Sequence, residues 1–178
     1  MRFFAHLHTV SRHRALVRKY CFRLGLYRQG LTHDLSKYSP REFWTGVKYF
    51  QGDRSPNDAE RLENGYSAAW LHHKGRNRHH LEYWTDYGER PDGSFGVVGV
   101  EMPVRYVAEM FCDRYAASRI YRGADFENAD PWRFFQRSKS RTILNPKTAD
   151  LLESMLVKLK DEGEDAAFSY IRNDILKK

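Results

Sequence analysis

All eight histidines of this 178-residue chain stand before residue 81. One of them, His33, is followed directly by Asp34, and Lys37 comes three residues after that aspartate. His13 precedes the doublet; His72, His73, His79 and His80 follow it, and Asp113 lies further on. Imidazole and carboxylate suit first-row divalent metals, and an ion that activates water needs several such donors converging from separate segments with a coordination position left open. His13, His33, Asp34 and Asp113 meet that requirement in type and number. Taken singly each has a plainer explanation, because a core histidine is ordinarily hydrogen-bonded to its neighbours and a helical aspartate such as Asp113 can pair with Arg105 or Arg114.

Converging donors require elements that turn them inward. Val10, Val17, Cys21 and Leu24 fall on one stripe, which predicts an amphipathic helix over 3–26 ending near Gly25, with His13 on its apolar face. A short segment after Gly30 carries His33 and Asp34, and Ser39-Pro40 opens a helix whose apolar face is Phe43, Trp44, Val47 and Phe50. Residues 51–57 read as a loop. Residues 58–73 read as one helix with Leu62, Tyr66, Ala69, Trp70 and His73 in register and Gly75 as its stop, and another helical segment starts near His79. Gly88, Pro91, Gly93, Gly96 and Gly99 make 87–101 the longest predicted loop, a candidate lid. Pro103 opens a helix on which Tyr106, Met110, Asp113, Ala117 and Ile120 share a side, so Asp113 points into the core, where a carboxylate needs a cation or a donor. Asn145-Pro146 opens a helix with Leu152, Met155, Leu156 and Leu159 inward, and a last one after Gly163 presents Phe168, Ile171 and Ile175. With little strand-like alternation the expected fold class is all-α, an irregular helical bundle. It forms one domain over 1–178, with 1–121 as the metal-site core and 122–178 as helices packed on it.

Composition narrows the class further. A chain 41% hydrophobic and 30% charged is globular, and no segment approaches the roughly 20 apolar residues of a membrane span. The opening Met1–Ala5 is soon interrupted by His6, His8 and Arg12, unlike a secretory signal, so a cytoplasmic setting is expected. Cys21 and Cys112 sit among apolar neighbours as small packing residues. Residues 1–90 hold 16 Lys+Arg against 9 Asp+Glu and residues 91–178 hold 14 against 14, so the whole +7 excess lies in the histidine-bearing half. A positive surface beside a metal attracts phosphate-bearing ligands, and it also attracts nucleic acid non-specifically.

The order His, then His-Asp, then His pairs, then Asp on successive helices resembles the HD-domain superfamily of metal-dependent phosphohydrolases, an all-helical fold, over roughly residues 3–121. That resemblance implies His13, His33, Asp34 and Asp113 as metal ligands. His33-Asp34-Leu35-Ser36-Lys37 is similar to the His-Asp-x-x-Lys version of cyclic-dinucleotide phosphodiesterase branches, which implies that Lys37 meets a phosphate oxygen rather than the metal. His33 to Pro40 (HDLSKYSP) and Ala69 to Trp84 (AWLHHKGRNRHHLEYW) also resemble the hallmark segments of a small bacterial and phage family without an assigned activity. In two-metal HD proteins, further histidines hold the second ion. Here those would come from His72 or His73, the latter better aligned, and from His79 or His80. A break at Gly75 is expected between the doublets, and their seven-residue interval is shorter than in those branches, so one ion or two both stay open.

The expected function is a metal-dependent phosphohydrolase with one or two divalent ions (Mn, Fe, Co, Ni, Zn or Mg). Asp34 would be the base, and Lys37, Lys74, Arg76 and Asn77 would bind a small phosphorylated substrate, foremost a nucleotide. Glu109, one turn before Asp113, either orients a ligand, acts as a base, or pairs with Arg105 or Arg114. Two other readings are a di-iron oxygenase of HD type, and a non-enzymatic basic module with a structural zinc that binds nucleic acid.

Overall fold

The chain begins with a long helix, α1 (Arg2–Arg23), in a computed structural model that describes residues 2–52 and 54–177. It stops where expected because Gly25 takes a left-handed conformation (φ 78°), which lets Leu26 N–H bond back to the Cys21 carbonyl and Gly25 N–H to that of Phe22. Five further short or medium helices follow before the two that complete the core. They are α2 (Tyr27–Thr32), α3 (Pro40–Tyr49), α4 (Pro56–Asn64) and α5 (Ala68–Lys74), then, after a hairpin, α6 (Val104–Arg122). The last two are α7 (Asp130–Lys139) and α8 (Pro146–Tyr170), so the described residues are mostly helical, as the periodicity predicts.

Three helices build the main core. Val17, Tyr20, Cys21 and Leu24 of α1 meet Val107, Phe111, Cys112 and Tyr115 of α6, and Leu152, Met155, Leu156 and Leu159 of α8 close the cluster. Burying each large side chain stabilises by about 1.5–3 kcal/mol, and both cysteines are free and buried in this cluster. Gly163 (φ 85°) interrupts α8 as the sequence implied, and beyond it Phe168 and Ile171 return to the same core. Phe135 anchors α7 there as well, so the C-terminal helices share one core with α1 and α6. None of the described helices is long and apolar enough to cross a membrane.

Three elements differ from expectation, the first being the helical segment expected near His79, which is only the 3₁₀ turn Leu81–Tyr83. The predicted helix over 58–73 is two helices, because Gly65 (φ 78°) ends α4 and Ser67 caps α5 by accepting from Trp70 N–H. The buried Glu60 carboxylate reinforces that corner, accepting from Ser67 Oγ and from the first backbone amides of α5, where the helix dipole favours an anion. Leu62 and Tyr66 consequently lie exposed rather than in register with His73.

The 87–101 segment is a β-hairpin rather than a lid loop: β1 (Thr85–Glu89) pairs antiparallel with β2 (Phe95–Gly99). Its glycines serve the turn and close approach, since a Cβ on Gly99 would lie 2.5 Å from the Asn145 backbone nitrogen. The hairpin is tied to the start of α8, where Asn145 Nδ2 donates to the Gly99 carbonyl and Met102 N–H to Thr148 Oγ1. No hairpin residue lines the cavity described next.

Candidate metal centre

The site is assembled from the N-terminal half and one face of α6. His13 is buried on the inner stripe of α1, and the next residue latches the following segment to it: Arg14 Nε donates to the His33 carbonyl at 2.8 Å. His33 ends α2, and Asp34 is the only non-glycine with positive φ among the described residues (φ 52°, ψ 26°). That left-handed turn costs about 1–2 kcal/mol, which makes it a constraint worth explaining. It starts the short 3₁₀ turn Leu35–Tyr38, which brings Lys37 Nζ to 2.7 Å from Asp34 Oδ2 as an ion pair. After His73 the chain breaks, as expected at Gly75, and Arg76 and Asn77 amides both return to the His73 carbonyl. This reversal carries His79 and His80 back against His73, whose Nε2 lies 2.9 Å from that of His80.

Two four-residue groups result, and Asp34 belongs to both. His13, His33, Asp34 and Asp113 form one; Asp34, His73, His79 and His80 form the other, with the donor atoms of each group all within 4.8 Å of one another. Asp34 divides its carboxylate between them. Oδ2 lies 3.4 Å from His33 Nε2 and 3.8 Å from His13 Nε2, whereas Oδ1 lies 3.2 Å from His73 Nε2 and 3.4 Å from His79 Nε2. Asp113 Oδ1 stands 2.9 Å from His13 Nε2 and 3.7 Å from His33 Nε2. Donors about 2.1 Å from a shared ion and about 100° apart are separated by roughly 3.2 Å, so these spacings fit a metal.

Hydrogen bonding gives a second test of fit. His13 Nε2, His33 Nε2, His79 Nε2 and Asp34 Oδ1 are sealed from solvent without a hydrogen bond, and Asp34 Oδ2, equally sealed, has the Lys37 ammonium as its ion-pair partner. Buried polar atoms are rarely left so, and these are atoms that would face an ion. The opposite ring nitrogens of His33 and His79, and that of His73, are engaged. Glu109 Oε1 receives the Nδ1 side of both His33 (2.9 Å) and His79 (3.1 Å), and Glu42 Oε2 receives His73 Nδ1 (2.8 Å). Placing the ring proton on Nδ1 leaves each Nε2 lone pair for a metal, the usual work of carboxylates behind metal-binding histidines.

The electrostatics agree. Burial acts against a charged His33, but Asp34, Asp113 and Glu109 outweigh it and push its pKa up to about 10. Burial would raise Asp34 and Asp113, yet the adjoining imidazoles, with Lys37 beside Asp34, hold both well below the usual carboxylate range. His73 is likewise raised against burial by Asp34 and Glu42, while burial and its two histidine neighbours hold His80 well below the imidazole range. In the metal-free protein a proton on His33 therefore supplies positive charge that the carboxylates demand.

Of the sequence candidates, His13, His33, Asp34, Asp113, His73, His79 and His80 come together, and Lys37 adjoins them. His72 does not: its Nδ1 bonds Glu42 Oε1, and it belongs to neither group. Asn77 is buried as a brace, donating to Ser36 Oγ and the His73 carbonyl, and Lys74 and Arg76 are absent from the cavity wall. Asp34 is fully buried with both oxygens turned to imidazoles, so the expected base position is not open there; Asp113 is the acid of the first group that lines the cavity. Glu109 holds His33 and His79 rather than pairing with arginine. Glu42 was not legible, since it is a single acid beside Phe43 whose partners lie about thirty residues on in the sequence.

A cavity of about 600 Å³ opens onto this centre, bounded by α1, α3, α4, α6 and α7. His13, Asp113, His73, His79 and His80 form one wall, and Lys37, Arg54, Arg61 and Arg114 bring cations to it. Arg61 is paired with Asp58 at 2.7 Å, whereas Arg114 Nε and Nη1 are sealed and have no hydrogen-bond partner. A family model described as a family of unknown function (DUF5662) matches residues 2–158, which include every residue of both groups. No curated protein and no solved structure matches the chain.

Proposed function

We propose that this chain, which belongs to the DUF5662 family, is a dinuclear metal-dependent phosphohydrolase acting on a small phosphorylated substrate, foremost a nucleotide. The observation that carries the reading is Asp34, a fully buried carboxylate that sends one oxygen to each of two histidine groups, in which His13 Nε2, His33 Nε2 and His79 Nε2 have no hydrogen bond. The first ion would be held by His13, His33, Asp34 and Asp113, the second by Asp34, His73, His79 and His80. Divalent ions there supply Lewis acidity and a water acidic enough to be a nucleophile at neutral pH. The resemblance of the His, His-Asp, Asp order to HD-domain enzymes supports the same assignment.

The chain's own residues do the rest. Glu109 and Glu42 fix three imidazoles in one tautomer, so no reorientation is needed during turnover. Lys37, one-third exposed at its side chain and paired with Asp34, sits where its remaining N–H groups can donate to a phosphoryl oxygen. The cavity cations and the +7 charge favour an anionic substrate over a neutral one, which separates this reading from oxygenation of an uncharged molecule. The test is metal analysis of purified protein with a panel of phosphomonoesters, phosphodiesters and nucleotides under Mn, Co, Ni, Mg and Fe. Two divalent ions per chain and metal-dependent phosphate release are expected. No stoichiometric metal, an iron pair with oxygen-dependent turnover, or a closed structural zinc without hydrolysis would overturn it.

A further inference from the structure

Arg114 follows Asp113 on α6 but serves a different wall of the cavity. Its guanidinium lies against the rings of Phe134 and Phe135 of α7, 5.6 and 5.7 Å from their centroids, and α7 contributes nothing to the metal-facing groups. Aromatic faces hold a guanidinium in position without consuming its N–H donors. Two of its nitrogens are not engaged elsewhere: Nε and Nη1 are sealed from solvent and make no hydrogen bond. Asp113 and Glu82 are near enough to act on the charge, but neither forms an ion pair with it among the described residues. A half-buried cation with sealed, unused donors lowers stability, so its retention in a cavity wall calls for a ligand that completes it.

The hydroxyls on the same wall do not compete for that role. Ser138 Oγ donates to the Phe135 carbonyl and Thr142 Oγ1 to those of Ser138 and Lys139, so both offer the cavity acceptor lone pairs only. An oxyanion is repelled by these two acceptors and attracted by the guanidinium of Arg114. We propose that Arg114 is the receptor for a second oxyanion of the ligand, a phosphate or carboxylate carried away from the group that meets the metal centre. Only the identification of that ligand as the substrate rests on the hydrolase reading; the anion site stands on Arg114 and the cavity.

The experiment uses orthophosphate and acetate as probes on the full chain, as purified and after chelator treatment, with binding read by calorimetry and thermal shift. Arg114→Met, an apolar side chain of similar length, is expected to weaken anion binding at least tenfold in the as-purified chain, to leave metal content unchanged and to keep or raise the melting temperature. Arg114→Lys should retain part of the binding. Preference for orthophosphate or for acetate identifies the anion, and either supports the site. Anion binding indifferent to Arg114→Met would overturn the proposal, as would binding that vanishes with the metal but not with Arg114. A lowered melting temperature in Arg114→Met would also overturn it, by making the arginine a structural residue. None of these readouts requires turnover, so failure of hydrolysis and failure of the anion site remain distinguishable.

Discussion

Glu109 is the point at which the two histidine groups depend on a single side chain. Its Oε1 holds His33 of the first group and His79 of the second, at 2.9 and 3.1 Å. Glu109→Gln keeps the shape and an acceptor oxygen but removes the charge. A hydrogen bond to a charged group contributes about 1.5–3 kcal/mol and a neutral one about 0.5–1.5, so each histidine loses about 1 kcal/mol of orientation. Two such losses come to about 2 kcal/mol, or roughly 30-fold in the product of two metal affinities at about 1.4 kcal/mol per tenfold. That value lies inside the 10–100-fold range typical of partners behind metal ligands. Competitive titration of the apoprotein against a chromogenic chelator measures both ions separately. Both should weaken in Glu109→Gln. An affinity unchanged within threefold, or a loss confined to one ion, would refute the shared-carboxylate account.

His72→Gln should leave two ions bound, since His72 reaches only Glu42, whereas His73→Gln should release the second ion; elemental analysis of both variants compares them. The metal-free protein has a pH dependence with a definite sign. His33 is raised from 6.5 to about 10, so its stabilising contribution is complete below pH 6.5 and is lost as pH rises toward 10, by at most about 1.4 kcal/mol per unit. Metal must displace that proton, so apparent affinity should rise over the same window while the melting temperature of the apoprotein falls; a flat apoprotein profile from pH 6.5 to 10 contradicts this. Gly46→Ala would place a Cβ 2.2 Å from His6 Nε2, and overpacking of this kind costs about 1–3 kcal/mol. Chemical denaturation should register that loss and its recovery in the Gly46→Ala, His6→Ala double variant. Ser67→Ala removes the cap of α5 and should cost about 1 kcal/mol by the same assay.

The sequence carried the donors and the helices that turn them inward, because both are written locally: His13 on an apolar stripe, His33 beside Asp34, Asp113 in a four- and three-residue rhythm. Gly75 and Gly163 were legible as breaks for the same reason. Gly65 was not read as one, since Leu62, Ala69 and His73 continue a helical rhythm across it and the decisive Glu60–Ser67 contact is a tertiary arrangement of side chains. Glycines misled in the hairpin, where they allow close packing on α8 rather than looseness. Distance in sequence hid Glu42, which meets His73 across 31 residues, whereas Glu109 was legible from its spacing to Asp113 although its partner His33 lies 76 residues away. The basic segment 74–78 looked like a phosphate rim because its charges are contiguous, yet the cations on the cavity wall come from four separate elements.

The central claim is that one carboxylate joins two metal positions. Anomalous diffraction from crystals of the manganese- or iron-loaded protein tests it most directly. Two peaks are expected, roughly 3.5–4 Å apart as in other two-metal sites, on either side of the Asp34 carboxylate, with the second absent in His73→Gln. A single peak in the wild-type protein, or two peaks of which one lies away from Asp34, would contradict it.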